Sequence, residues 1–385
     1  MVDHVNQHFV PQFYFKLFTR GDRRIHFLFK KKNQIILNAS IRGQCAHHGF
    51  YGSREIESFF SKLEIKQSIA IRKMLELVWF GSSAPLNINE IALDMSAICN
   101  ATIFQHARTE LQIKKESPAI ESMYLECFKN YLKHSPNIEN REHFYEQFIE
   151  HVAKGNVHIK EKPQKTVMRS ISVALERTSL IADLNFYILR NYTEYPFVFG
   201  DSPVIFYNTY YQNVKDRGVL GLQTPGLQIF YPLDSDTMLM LIDDQIYGGW
   251  YKRSLCVDLT EKSDVSQINA LQLHHSFNSV YFADENDKEY ISDLWNAHKH
   301  RIIQPEVKFV KRDGWLVDGK PVDGILYQTY EPQLNIKLNL SFIECTPIRE
   351  SEYKCRNRSP ELVKELEKRI KKTEKDNKTV KKISI

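Results

Sequence analysis

Between His8 and Phe18 the sequence HFVPQFYFKLF sets five aromatic rings in eleven residues, around Pro11 and directly after a histidine. Chain termini are ordinarily polar and loosely held. A terminus this apolar has to be packed inside the fold, so later segments must return to cover the first twenty residues.

At 385 residues the chain is long enough for one large domain or two moderate ones. Apolar residues make up 42%, with 23 Phe and 19 Tyr, which is ample for a packed core and argues against disorder over most of the length. No run of eighteen uncharged apolar residues occurs, so no membrane span is expected. Asp3 and His4 stand where a signal peptide needs basic residues and then an apolar run, and the expectation is a cytoplasmic protein. The six cysteines are scattered without a C-x-x-C, as reduced thiols would be. The net charge of +5 is unevenly spread. Residues 349–385 hold thirteen Lys/Arg against seven Asp/Glu, leaving 39 basic and 40 acidic residues elsewhere. This basic tail is either a nucleic-acid contact, through counterion release, or a solvated helix.

The apolar runs Arg24–Phe29 and Gln34–Leu37, around Lys31–Asn33, predict a β-hairpin. Apolar residues recur at helical spacing from Ser53 to Trp79, and Asn87 with Glu90 predicts a capped second helix through Ile113. Further helices are expected over 120–133, 141–153 and 167–190, giving a helical block at about 53–190. Short strands follow at 196–199, 204–207, 227–231 and 237–242, with helices near 262–275 and 287–298 around a strand at 279–283. From Val307 to Thr346 the pattern predicts a β-meander, with Asp313-Gly314 and Asp318-Gly319 as hairpin turns. Ser359-Pro360 then opens a final helix.

This order predicts an α+β fold. A mixed or antiparallel sheet would carry the helical block as an insertion after the N-terminal hairpin, followed by the meander and a basic helix. The expected divisions are a main domain over 1–305, a meander extension over 306–348 and a helical tail over 349–385. A split near Asn191 is the alternative.

Four residues are candidates for a catalytic site: His8, Asp201, Glu57 and Arg108. Asp201, in the turn Gly200-Asp201-Ser202-Pro203, could bind a divalent metal such as Mg²⁺ or orient a histidine; it could equally cap its own turn. His8 is a general base or ligand, or a buried ring satisfied by main chain. Tyr14 offers a hydroxyl to the same cluster. Glu57 and Glu64 are seven apart and share a helix face, either as a paired site or as surface carboxylates. Arg108 either clamps a phosphate or pairs one of these acids. The histidine pairs His47-His48, His274-His275 and His298 with His300 lack the i, i+4 spacing of helical zinc ligands. Absence of G-x-x-x-x-G-K-[ST], G-x-G-x-x-G and G-x-S-x-G removes support for P-loop, Rossmann and ordinary serine-hydrolase chemistry.

Several boxes, in order and spacing, resemble the bacterial domain-of-unknown-function family four-two-three-eight. They are the H-x-V-P-Q-x-Y box from His8, Phe50-Tyr51 with Glu55 and Glu57, Glu64, Arg108-Thr109, Gly200–Pro203, Tyr231-Pro232-Leu233 with Asp234-Ser235, and Asn269. The resemblance covers roughly residues 4–285 and implies a prokaryotic protein with no assigned reaction, some of whose relatives lie among phage-defence genes. The expectation is an antiviral effector acting on nucleic acid or nucleotides, a nuclease if it is an enzyme. The alternative is a recognition or regulatory module that binds a protein, or nucleic acid through its basic tail.

Overall fold

A computed structural model describes residues 6–19, 21–80, 88–135, 139–215, 217–304, 306–317 and 320–383. The N-terminal box begins as a short strand, β1 (Asn6–His8), and continues after extended Pro11 as a helix, α1 (Gln12–Phe18). Tyr14, Phe15 and Phe18 of that helix are fully enclosed. The expected hairpin follows as β2 (Arg24–Phe29) and β3 (Gln34–Ser40), turning at Asn33 in the left-handed region (φ 52°). A fourth short strand, β4 (Ala46–His48), returns antiparallel to β1.

The helical block comprises α2 (Arg54–Phe80), α3 (Ile88–Ala107), α4 (Glu110–His134), α5 (Arg141–Ala153) and α6 (Pro163–Glu176). The expected cap at Asn87 lies outside the described residues. Two boundaries differ from expectation. The second helix stops at Ala107, and Thr109 starts a new one by accepting the Gln112 N–H at 3.4 Å. The helix expected over 167–190 ends at Glu176; Asn185–Asn191 is a strand, β5. Its sequence NFYILRN is rich in aromatic and branched residues, and β9 and β10 flank it on both edges, so sheet burial prevails over helical spacing.

The remaining strands are β6 (Phe199–Gly200), β7 (Ile205–Tyr207), β8 (Gln228–Pro232), β9 (Thr237–Ile242), β10 (Cys256–Leu259) and β11 (Ser279–Phe282). Two helices accompany them, α7 (Lys262–His275) and α8 (Lys288–His298). The larger sheet runs β10-β5-β9-β8-β7, antiparallel except for the β10–β5 pair. Every residue of β8 and β9 is buried, as in a sheet covered on both faces. The second sheet runs β3-β2-β11-β6 and is antiparallel. It joins the N-terminal hairpin to strands some 250 positions later (Phe29 faces Ser279).

The expected meander is a single hairpin, β12 (Lys308–Val317) with β13 (Lys320–Tyr330). Asp313-Gly314 marks a register shift inside β12 rather than a turn. Asp318-Gly319 lies outside the described residues. From Glu331 onward the chain is an extended strap, whose Leu334, Leu338, Leu340 and Phe342 are buried against the larger sheet. Their wide spacing anchors a strap without the uninterrupted alternation that a strand needs. The last helix, α9 (Pro360–Ile383), begins where Ser359-Pro360 predicts. Among the described residues no helix is long and apolar enough to cross a membrane.

Candidate functional site

A cleft of about 480 Å³ lies between the start of α1 and one face of α2, lined by His8, Gln12, Phe13, Glu57, Glu64 and Arg72, among others. The α2 contribution follows from helical spacing: Glu57, Ser61, Glu64, Ser68 and Arg72 recur every three or four residues and share a stripe. His8 reaches the cleft because β1 ends there. Its Nε2 stands 3.1 Å from the Arg42 carbonyl and 3.4 Å from the Gln12 carboxamide nitrogen. Donation from Nε2 to that carbonyl leaves Nδ1 as the lone-pair nitrogen. Burial lowers the pKa of His8, against the Arg42 carbonyl and Glu64, so the neutral ring is favoured.

Glu57 has the opposite displacement. Burial first, and then the neighbouring Glu64, raise its carboxyl pKa, with Arg108 opposing. Its Oε2 is buried and has no hydrogen-bond partner. Such orphaned oxygens are rare in native proteins and call for an explanation.

Arg108 lies beneath the cleft rather than in it, with 1% of its surface exposed. Its Nε donates to the Tyr51 hydroxyl at 2.8 Å, Nη1 to Glu64 at 2.6 Å, and Nη2 to the main-chain carbonyl of His8. The guanidinium is also stacked 4.6 Å from the Phe104 ring centroid. Burial disfavours its charge, and Tyr51 and Glu64 more than offset that. Arg108 therefore fixes the backbone of His8 and neutralises Glu64: of its two expected roles the structure shows the pairing of an acid, and the phosphate clamp is corrected to an enclosed strut.

Asp201 is likewise corrected. It does not line the cleft. Its carboxylate accepts the main-chain N–H groups of Phe277 (2.7 Å), Asn278 (2.6 Å) and Ser279 (3.0 Å), so the turn is a bracket for the junction of α7 and β11. Burial pushes its carboxyl pKa up, against these donors and Lys30. Gly200 beside it allows close approach: a Cβ there would stand 2.7 Å from Ser276 Cβ. Tyr14 is also taken up elsewhere, its hydroxyl donating to the Pro232 carbonyl while its ring stacks on Tyr231.

The other boxes act in the same way. The Tyr51 amide donates to the Gln7 side chain at 2.6 Å. Thr109 and Ser202 hydroxyls meet at 3.2 Å. Asn269 bridges Val198, Pro196 and Tyr290. Asp234 accepts the Asp236 N–H at 2.9 Å, and burial lifts its carboxyl to about 6. Of the histidine pairs, His47 meets Glu110 at 3.2 Å, His275 meets the Ser202 carbonyl at 2.9 Å, and His274 meets His298 at 3.1 Å. Among the described residues no three His, Cys, Asp or Glu side chains gather around one point that could hold a metal ion.

Sequence reasoning missed Ser61, Ser68, Arg72, Gln12 and Phe13 as cleft residues. The signal for the first three was present as the polar stripe that continues the Glu57–Glu64 spacing.

A model of the family described as protein of unknown function (DUF4238) matches residues 6–286, the span that contains the cleft and both main sheets. No curated protein matches the chain, and no solved structure does. The matched span covers well over half of the sequence, and the chain belongs to the DUF4238 family.

Proposed function

We propose that the α1–α2 cleft is an acid–base site acting on phosphodiester or nucleotide substrates, in a cytoplasmic bacterial effector of antiviral defence. The observation that carries this reading is the pairing of a neutral-favouring imidazole with a partly buried carboxyl whose inner oxygen is unpartnered, both opening on one cleft. Perturbed titrating groups in a concavity are the usual mark of chemistry. Phe13, Ile65 and Ile69 offer apolar surface against which a base can lie, and Arg72 contributes a cation at the same wall.

The step follows from the two roles. The His8 imidazole takes the proton of the attacking hydroxyl or water as the new phosphorus–oxygen bond forms. Protonated Glu57 gives its proton to the oxygen that leaves as the old phosphorus–oxygen bond breaks. Exchange with solvent restores both groups. Arg108, through the His8 carbonyl, is a positioning residue.

The test uses the full chain on labelled single-stranded RNA and DNA and on free nucleotides, with EDTA or with Mg²⁺. His8→Ala and Glu57→Gln are each expected to slow turnover by about 10²–10⁴-fold, the usual weight of a general acid or base. Their melting temperatures are expected to stay near that of the parent. A parent inactive on every substrate, or variants as active as the parent, sinks the reading.

The basic helix α9 favours a second reading, a recognition module. Lys364, Lys368 and Arg369 are exposed on it. In that case removal of residues 349–385 weakens nucleic-acid binding and flattens its salt dependence.

A further inference from the structure

A second cleft, of about 530 Å³, lies among α3, α4, α6 and the end of β13. We propose that it binds a nucleotide, with the planar base between its apolar walls and the phosphate at Arg177. This does not rest on the reading of the first cleft.

An open acceptor on one wall and an uncommitted cation on the same cleft carry the inference. The His106 ring lies flat on Phe206, with centroids 3.9 Å apart and planes 5° from parallel. Its Nδ1 is 3.2 Å from the Val204 carbonyl. Burial and then Lys115 push its pKa down to about 4, so the ring is neutral. With Nδ1–H donating to Val204, Nε2 is a lone-pair acceptor, and it has no partner among the described residues. Arg169, by contrast, is built into the wall. Its Nη1 is held by both Glu161 oxygens at 3.0 and 2.7 Å, while its buried Nη2 makes no hydrogen bond. Glu116 forms an ion pair with that Nη2 at 3.8 Å, so the guanidinium is charge-compensated within the wall.

An unpartnered acceptor in an apolar-lined cleft matches a flat ligand whose edge carries an N–H donor. The edge of a nucleobase is such an edge. Ile103, Ile120, Met123, Val173 and Leu222 give the apolar lining that its faces require. Arg177, also on the cleft, is exposed and forms no ion pair among the described residues. The cleft volume falls within the roughly 300–1,000 Å³ typical of small-molecule sites.

One wall comes from Thr329, Tyr330 and Glu331, beyond the residues that match the family model. Glu331 is fixed there by enclosed Lys115 at 2.5 Å. The site is thus completed by the C-terminal hairpin, outside the residues that match the family model.

Calorimetric titration of the full chain with AMP, GMP, CMP and UMP, and with the four nucleosides, tests this. At least one nucleotide is expected to bind. Arg177→Ala is expected to weaken that nucleotide by about tenfold or more, and to leave its nucleoside unchanged. Val173→Trp fills the cleft from a partly exposed helix position and is expected to abolish both while the melting temperature holds; Met123→Lys serves if it does not. Failure of every nucleotide to bind at millimolar concentration overturns the proposal. So does binding that survives the occluding variant, or that Glu57→Gln removes instead, which assigns it to the first cleft.

Discussion

His8 and Glu57 are displaced toward their neutral forms by the same physical cause, loss of water, and that has a consequence for pH. As a base His8 works above its pKa, which lies below the ordinary 6.5 of histidine. As an acid Glu57 works below its pKa, which lies above the ordinary 4.5 of glutamate. Activity at the α1–α2 cleft is therefore expected to follow a bell, with His8 setting the acid limb and Glu57 the alkaline limb, and the two displacements bring those limbs toward a common working range. A pH–rate profile measures this, and Glu57→Gln is expected to remove the alkaline limb along with most of the rate. A plateau extending through pH 8 would contradict the assignment of roles. Asp201 makes the contrasting case. Asp201→Asn keeps one acceptor oxygen and sets an amide group against N–H donors, so it is expected to lower stability by about 2–3 kcal/mol in urea denaturation. Any loss of activity would then track unfolding. In the sequence these residues look alike, polar letters inside apolar boxes. Seven-residue spacing put Glu57 and Glu64 on one face, and that much was legible. What the spacing could not say is that Arg108 closes beneath Glu64 while Glu57 is left unpartnered, because those facts depend on contacts between α2 and α3.

At the level of elements, helical and strand periods identified most segments where local pattern and burial agree. Helix α7 spans the expected residues, and β8 and β9 are where branched and aromatic runs put them, whereas the helix at Gln12–Phe18 was not expected from the aromatic box. The misread stretches are those where context decides. Asn185–Asn191 carries helical spacing into the centre of a sheet, and the strap after Glu331 is held by isolated apolar anchors. The basic tail follows the same logic. Its composition suggested a solvated appendage, yet Arg358 immediately ahead of α9 is enclosed, with 2% of its side chain exposed. It grips Asp183 through Nε (2.8 Å) and Nη2 (2.7 Å), and the carbonyls of Thr224, Leu180 and Leu222. The Ser359 N–H adds a bond to Gln223 at 2.8 Å. Removing one partner of a buried ion pair typically costs about 3–5 kcal/mol. Arg358→Ala is accordingly expected to release α9. Limited trypsin digestion would then cut within 349–372 several times faster while the body stays intact. Equal cleavage rates in parent and variant would mean that the anchor is not what holds the tail.

On the scale of the whole molecule, the first eighteen residues join parts that the sequence keeps far apart. Phe15 packs edge-on against Phe199 and Tyr281, from β6 and β11, and Tyr14 stacks on Tyr231 of β8. The Gln105 side chain of α3 donates to the Phe9 carbonyl at 2.9 Å. The small helix α1 thus sits where both main sheets and the helical block meet, within the largest core cluster. Phe9, Val10, Tyr14, Phe15 and Phe18 are each at most 4% exposed. At about 1.5–3 kcal/mol for each fully buried apolar side chain, they contribute on the order of 10 kcal/mol together. That is comparable to the entire stability of a typical domain, about 5–15 kcal/mol. A chain beginning at Thr19 would keep the strands of both main sheets and every later helix, and lose the piece they share. It is expected to retain helical far-ultraviolet dichroism but to lose its sharp thermal transition and to bind a hydrophobic dye, as loosely packed states do. A truncated chain that still melts cooperatively, within a few degrees of the parent, would place the stabilising core elsewhere. The same contacts link folding to the cleft: His8, at the end of β1, is held by Arg42, Tyr51 and Arg108, so the site is expected to form only when the N-terminus has docked.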